Sequence, residues 1–432
     1  MGGQTCGDEC GKAAPRRAIL CFDLPVQAVR PRSPLLAPFS RVTSRGAFIP
    51  EVDGLRFVAI AAVVVFHLAL NLASRNPTAF AYPVPGSALH DTIRSGELGV
   101  QLFFIVSGLV LALPFARHHL RGGPAVGLRA YFLRRLTRLE PPYVLVMLGC
   151  FLLLVVVHGR SARELAPHLL ASLGYVHDLV YARDSLINNV AWSLEVEIQF
   201  YLLVPWLTAL FAIRGTVARR AVLVAAIVAT SAVGPLLADT SPHLHNTLLR
   251  FAQYFLVGFL LADLMVVGRL FPTGPRRVRW DVLALAAVPV VVMLHTQTGA
   301  ARWLPAASHQ LVAELAVPWL CLLGYLGVFR GVALHAFLTL PLVTTIGGMC
   351  YSIYLLHNVF LNNTLFLTKG LAPTGVYGLD LLLQLAITGP LVVAFSAVFF
   401  VLVERPCMDR AWPQHLVAWF RSRRQRVRVG SS

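Results

Sequence analysis

Long apolar runs alternate with short polar stretches along most of this chain. Ten runs are long enough to cross a bilayer, near 55–74, 98–116, 140–158, 190–212, 220–238, 249–268, 280–297, 312–329, 342–366 and 379–403. About twenty apolar residues in helical form span a hydrocarbon core of about 30 Å. The runs lack the period-two alternation of a barrel strand, and a continuous apolar segment in lipid satisfies its backbone only as a helix. The pattern therefore predicts an all-α polytopic membrane protein of about ten transmembrane helices. The stretch 165–180 is broken by His168, His177 and Asp178, and reads as an interfacial or re-entrant helix.

Composition supports this reading. Hydrophobic residues make up 57% of the chain and charged residues only 13%, against about 25% charged in a soluble domain. The formal charge of +17 does not point to nucleic acid, because the arginines sit in short loops between apolar runs. They cluster within 117–138, 214–220, 269–279 and 421–428. Positive loops stay inside, so both termini are expected in the cytoplasm and the protein in the plasma (inner) membrane. Residues 1–49 read as a basic, loosely ordered tail, 50–406 as the membrane domain and 407–432 as a second basic tail. Of the seven cysteines, Cys6, Cys10, Cys21, Cys150, Cys321, Cys350 and Cys407, only Cys6 and Cys10 are spaced for a metal. Two ligands are too few to define a site, and all seven read as free thiols.

Within the apolar runs a few polar residues stand out. The first run carries Asp53, Arg56 and His67. Arg56 and His67 are eleven residues apart, about three turns, so they share a helix face with a rise of about 16 Å between them. A histidine at that depth either hydrogen-bonds to a neighbouring helix or works in a site. Arg134, Arg135 and Arg138 precede the third run. They suit a polyphosphate, to which guanidinium groups bond in a fork, but taken alone they read first as a positive-inside stop signal. The fourth run opens Trp192-Ser193-Leu194-Glu195-Val196-Glu197, and its two carboxylates point to different sides of a helix. Counted from opposite faces, Glu197 and His67 are expected at similar depth. Tyr354 and His357 are three apart in the ninth run and share a face. Glu404 closes the tenth run, where it can pair with an arginine.

In order, these motifs resemble the membrane-bound acyltransferase 3 family. The matching pieces are Asp53-Gly54-Leu55-Arg56 with His67; Gly99-Val100 followed by Phe103-Phe104 and Ser107-Gly108; Arg134-Arg135, Arg138 and Pro141; Trp192-Ser193-Leu194, Glu197 and Phe200-Tyr201; Tyr351, Tyr354-Leu355 and His357; and Glu404 with Pro406. Glu195 stands where the family usually has a small or polar residue. The resemblance implies transfer of an acyl group, usually acetyl, from cytoplasmic acyl-CoA to a hydroxyl. Acceptors in the family include surface glycans and secreted metabolites. Acyl-CoA is then a co-substrate, with no tightly bound cofactor or metal.

On that reading His67 is the general base or, as the alternative, carries the acyl group itself; Glu197 orients its ring, and Arg56 steers the donor. Arg134, Arg135 and Arg138 hold the CoA phosphates. Trp192, Ser193, Tyr354 and His357 form a candidate acceptor pocket. The rival reading is a proton-coupled transporter or flippase with His67 and Glu197 as its relay.

Overall fold

A computed structural model describes residues 34–42, 48–80, 83–298, 305–409, 412 and 414. Cys6, Cys10, Cys21 and most of both tails lie outside the described residues. The four described cysteines are unpaired.

No strand occurs among the described residues. The helices are α1 (Pro50–Arg75), α2 (Ala88–Arg94), α3 (Gly99–Arg121), α4 (Leu128–Leu152), α5 (Ala162–Leu173), α6 (His177–Tyr181), α7 (Trp192–Leu207) and α8 (Thr216–Ala238). They continue with α9 (Leu248–Val266), α10 (Val278–Thr296), α11 (Ala306–Arg330), α12 (Ala333–Leu338), α13 (Pro341–Gly348), α14 (Cys350–Thr364) and α15 (Tyr377–Phe399). Among the described residues nine helical segments are long and apolar enough to cross a membrane. The remaining expected run, 342–366, is divided between α13 and α14. Gly347-Gly348 sits at the break, where two residues of poor helix propensity let the chain change direction. The stretch 165–180 forms α5 and α6, both too short to cross.

Helix α1 starts where the sequence favours a start. Pro50 stands at the first position, and Glu51 and Asp53 lie in the first turn, where the helix dipole favours negative charge. The centre of the bundle is α9. In its most apolar window 78% of residues are buried, against 22% for α10 at the periphery. Helix α9 meets α3 at Gly258 and Gly108. A Cβ at Gly108 would collide with the Phe255 backbone, and one at Gly258 with the backbone of Ile105 to Leu109. Small residues that let backbones touch are the main packing device in lipid. Around this crossing Phe255 stacks on Phe104 and Phe200, with ring centres 4.7 Å and 4.0 Å apart. The buried Arg219 and its neighbour Arg220 both bond to Asp263, at 2.5 and 2.7 Å, and tie α8 to α9.

Helix α3 begins against the middle of α1, with Gly99 packed on Ala59 and Val63. Ser107 lies eight residues farther along α3, about 12 Å toward the end of the bundle that carries Arg56. That offset decides which polar residues meet.

Candidate active site

At the Arg56 end of the bundle, a cavity opens between α1, α3, α4, α7 and α14. Arg41, Arg56, Arg135 and Arg138 line it, together with Glu197 and Glu404. Arg41 and Arg56 both donate to Asp53 Oδ1, at 2.7 and 2.5 Å. Arg135 lies over the Tyr201 ring, 5.1 Å from its centre, a cation–π contact. Glu404 accepts from the amide and hydroxyl of Ser352, at 3.1 and 2.6 Å. Four guanidiniums thus face three carboxylates, and the buried Nε of Arg138 has no acceptor among the described residues. The cavity offers unspent donors and net positive charge to an anion.

Sequence reasoning missed Arg41. It precedes the first apolar run, in a tail with no periodic signal, and only the fold brings it to Asp53. Of the three arginines ahead of the third run, Arg135 and Arg138 line the cavity and Arg134 does not.

Ser193 of α7 and Tyr354 of α14 also line the cavity. Tyr354 Oη donates to the Val190 carbonyl at 2.8 Å. Its proton is therefore spent, and in the 2.5 Å contact with Ser193 the serine hydroxyl is the donor. One turn beyond Tyr354 is His357, completely buried. Its Nδ1 faces the carbonyls of Tyr354 and Ile353 at 2.8 and 3.1 Å, and its Nε2 lies 3.3 Å from Nδ1 of His67. Beside the histidines runs a ladder of carboxamides. Asn71 donates to Asn358 at 2.8 Å, and Asn358 donates to Asn189 at 2.6 Å. His67 and His357 do not line the arginine cavity. Hydrogen bonds lead from Ser193 and Tyr354 at its wall to the two histidines, and the carboxamides beside them reach Asn189 at the surface.

Glu197 does not sit beside His67, contrary to the sequence expectation. It accepts the hydroxyl hydrogen of Ser107 and lines the arginine cavity. The physical reason is the offset of α3 against α1, which places Ser107, and with it Glu197, near the level of Arg56. The group hydrogen-bonded to His67 is His357, which the sequence put in the acceptor pocket. Glu195 turns the other way. It accepts the backbone amides of His177 and Asp178, both at 3.1 Å, and so caps the short helix α6. Its role, open in the sequence, is to hold that helix in place.

The adjacent residues Trp192 and Ser193 separate as well. Ser193 lines the arginine cavity, whereas Trp192 lines a second cavity toward the other end of the bundle. Phe251, Tyr254 and two ion-paired carboxylates also line that second cavity. Glu97 there bonds to His295 at 2.8 Å, and Glu314 lies 4.0 Å from Arg250.

A family model described as an acyltransferase domain matches residues 49–403, most of the chain. The chain belongs to the membrane-bound acyltransferase 3 family. The match covers every motif on the cavity and at the two histidines except Arg41 and Glu404. Relatives include the O-acetyltransferase OatA of Staphylococcus aureus, 23% identical over 78% of this chain and 54% of that protein. The peptidoglycan O-acetyltransferase OatA of Listeria monocytogenes is 26% identical over 37% of this chain and 24% of that protein. A putative O-acetyltransferase of Staphylococcus aureus is 21% identical over 83% of the chain and 57% of its own length. The chain thus spans about half the length, or less, of these acyltransferase 3 relatives. No solved structure matches it.

Proposed function

We propose that this acyltransferase 3 protein moves an acyl group, acetyl in the reaction its relatives are named for, from acyl-CoA to a hydroxyl of a glycan. The observation that carries the reading is the arginine-lined cavity, whose wall residue Tyr354 lies one turn from His357, the hydrogen-bond partner of His67. Arg41, Arg56, Arg135 and Arg138 offer fork-shaped donors to the CoA phosphates. The positive-inside pattern puts this end in the cytoplasm, where acyl-CoA is made. The thioester then lies along the Ser193–Tyr354 section and presents its carbonyl carbon toward His67.

The acceptor reaches His67 from the other side. A hydroxyl is a weak nucleophile at neutral pH and needs a base. His67 Nε2 takes the hydroxyl proton as the oxygen bonds to the thioester carbonyl carbon. The carbon–sulfur bond breaks, and the leaving thiolate recovers the proton from the imidazolium. The products are an ester and free CoA. A glycan acceptor fits a relative whose name states its acceptor, a peptidoglycan O-acetyltransferase.

Purified protein in lipid nanodiscs, given acetyl-CoA and glycan fragments, should release free thiol in proportion to esterified acceptor. Proton-coupled solute movement in vesicles, with no thiol produced, would replace this reading with the transporter.

A further inference from the structure

The ring of His357 is held more firmly than that of His67. It is completely buried, and its Nδ1 lies within hydrogen-bond distance of two carbonyl oxygens, which only accept. Nδ1 of His357 therefore carries the hydrogen, and in the neutral ring Nε2 is an acceptor. Nδ1 of His67 faces that acceptor at 3.3 Å and the Val63 carbonyl at 3.0 Å. Both neighbours accept, so the hydrogen of His67 is on Nδ1 as well. The lone pair of His67 is then on Nε2, which makes no hydrogen bond among the described residues. His67 is half-buried, so this nitrogen has an open side.

We infer that His357 is a positioning residue. Its Nε2, with the Val63 carbonyl, fixes the tautomer and rotation of His67, and it keeps accepting the Nδ1–H hydrogen bond when His67 takes a proton on Nε2, without itself becoming protonated. This inference rests on His67 being the base. In a serine-hydrolase triad a carboxylate fills the equivalent place; here a neutral imidazole does, at a depth where a bare carboxylate is costly. The neighbouring turns keep the rings in register. Asn71, one turn beyond His67, and Asn358, next to His357, join α1 to α14, and Ser193 and Tyr354 join α7 to α14 one turn before.

Solid-state ¹⁵N spectra of histidine-labelled full-length protein in lipid test the arrangement directly, with resonances assigned from single His→Gln variants. His357 should show a protonated Nδ1 and an unprotonated Nε2, and His67 the same pattern. A His67 protonated on Nε2, or a His357 protonated on Nε2, overturns the inference. These spectra read the tautomers whether or not His67 proves to be the base.

Kinetics supply the second arm. His357→Leu should lower kcat on the order of a hundredfold, since a base typically contributes 10²–10⁴-fold and acts only when oriented. The apparent KM for acyl-CoA should stay within about twofold, because the arginines lie elsewhere. His357→Gln returns an oxygen acceptor near the lost Nε2 and should recover about tenfold of the loss. Full kcat in His357→Leu, or equal loss in the Leu and Gln variants, overturns the positioning role. An active His67→Gln variant overturns the base assignment instead, and the two failures are distinguishable.

Discussion

Ser107 of α3 gives its hydroxyl hydrogen to Glu197 of α7, ninety residues later in the chain. That bond holds a carboxylate inside a cavity lined by four arginines. Glu197→Gln keeps an oxygen acceptor for Ser107 and removes a negative charge from an anion site. Its apparent KM for acyl-CoA should fall or stay unchanged. A rise of tenfold or more, measured by thiol release, would show that Glu197 holds the donor in some other way.

Arg135 and Arg138 line the cavity and Arg134 does not. Replacing one charge-assisted contact costs about 1.5–3 kcal/mol, so Arg135→Gln and Arg138→Gln should each raise the acyl-CoA KM by about tenfold or more. Arg134→Gln should raise it less than either. Equal effects from all three, together with reduced membrane insertion, would favour the stop-signal role.

His67→Gln retains hydrogen bonding but cannot take the proton at neutral pH. Transfer should fall at least about a hundredfold while the protein remains folded in the membrane. Near-normal transfer by a well-inserted His67→Gln protein would return the residue to packing.

Glu195 accepts two backbone amides at the start of α6. Glu195→Ala leaves them without that partner and should cost about 1–3 kcal/mol of stability, seen as a lower thermal midpoint in detergent. Activity per folded molecule should change far less than for His67→Gln. A collapse of activity without loss of stability would move Glu195 into the chemistry.

Both termini are expected in the cytoplasm. A reporter fused at Ser432 that works only in the cytoplasm should be active. Activity of a reporter restricted to the other side would reverse the topology and the access route for acyl-CoA.

The sequence by itself determined the lipid-spanning helices, because crossing a bilayer depends on local apolar length. It determined which ionisable residues are costly in lipid, and so His67, Tyr354 and His357, but not the carboxamides Asn71, Asn358 and Asn189 beside them. It separated Glu195 from Glu197, since residues two positions apart on a helix point to different sides whatever surrounds them. The partners were decided only in three dimensions. His67 and His357 are 290 residues apart, and no local pattern sets the crossing that joins them. Depth counted along each span put Glu197 level with His67, but α3 starts halfway along α1 and Ser107 draws Glu197 to the arginine end. Arg41 sits outside the apolar pattern and enters the site only because Asp53 receives it. The break after α13 has its signal in Gly347-Gly348, yet its consequence is tertiary: Cys350, Tyr351 and Tyr354 line the cavity and His357 reaches His67. Hydropathy sums over one segment, whereas a hydrogen bond between helices depends on their relative offset and rotation, which the close contacts at Gly108, Gly258 and Gly99 set.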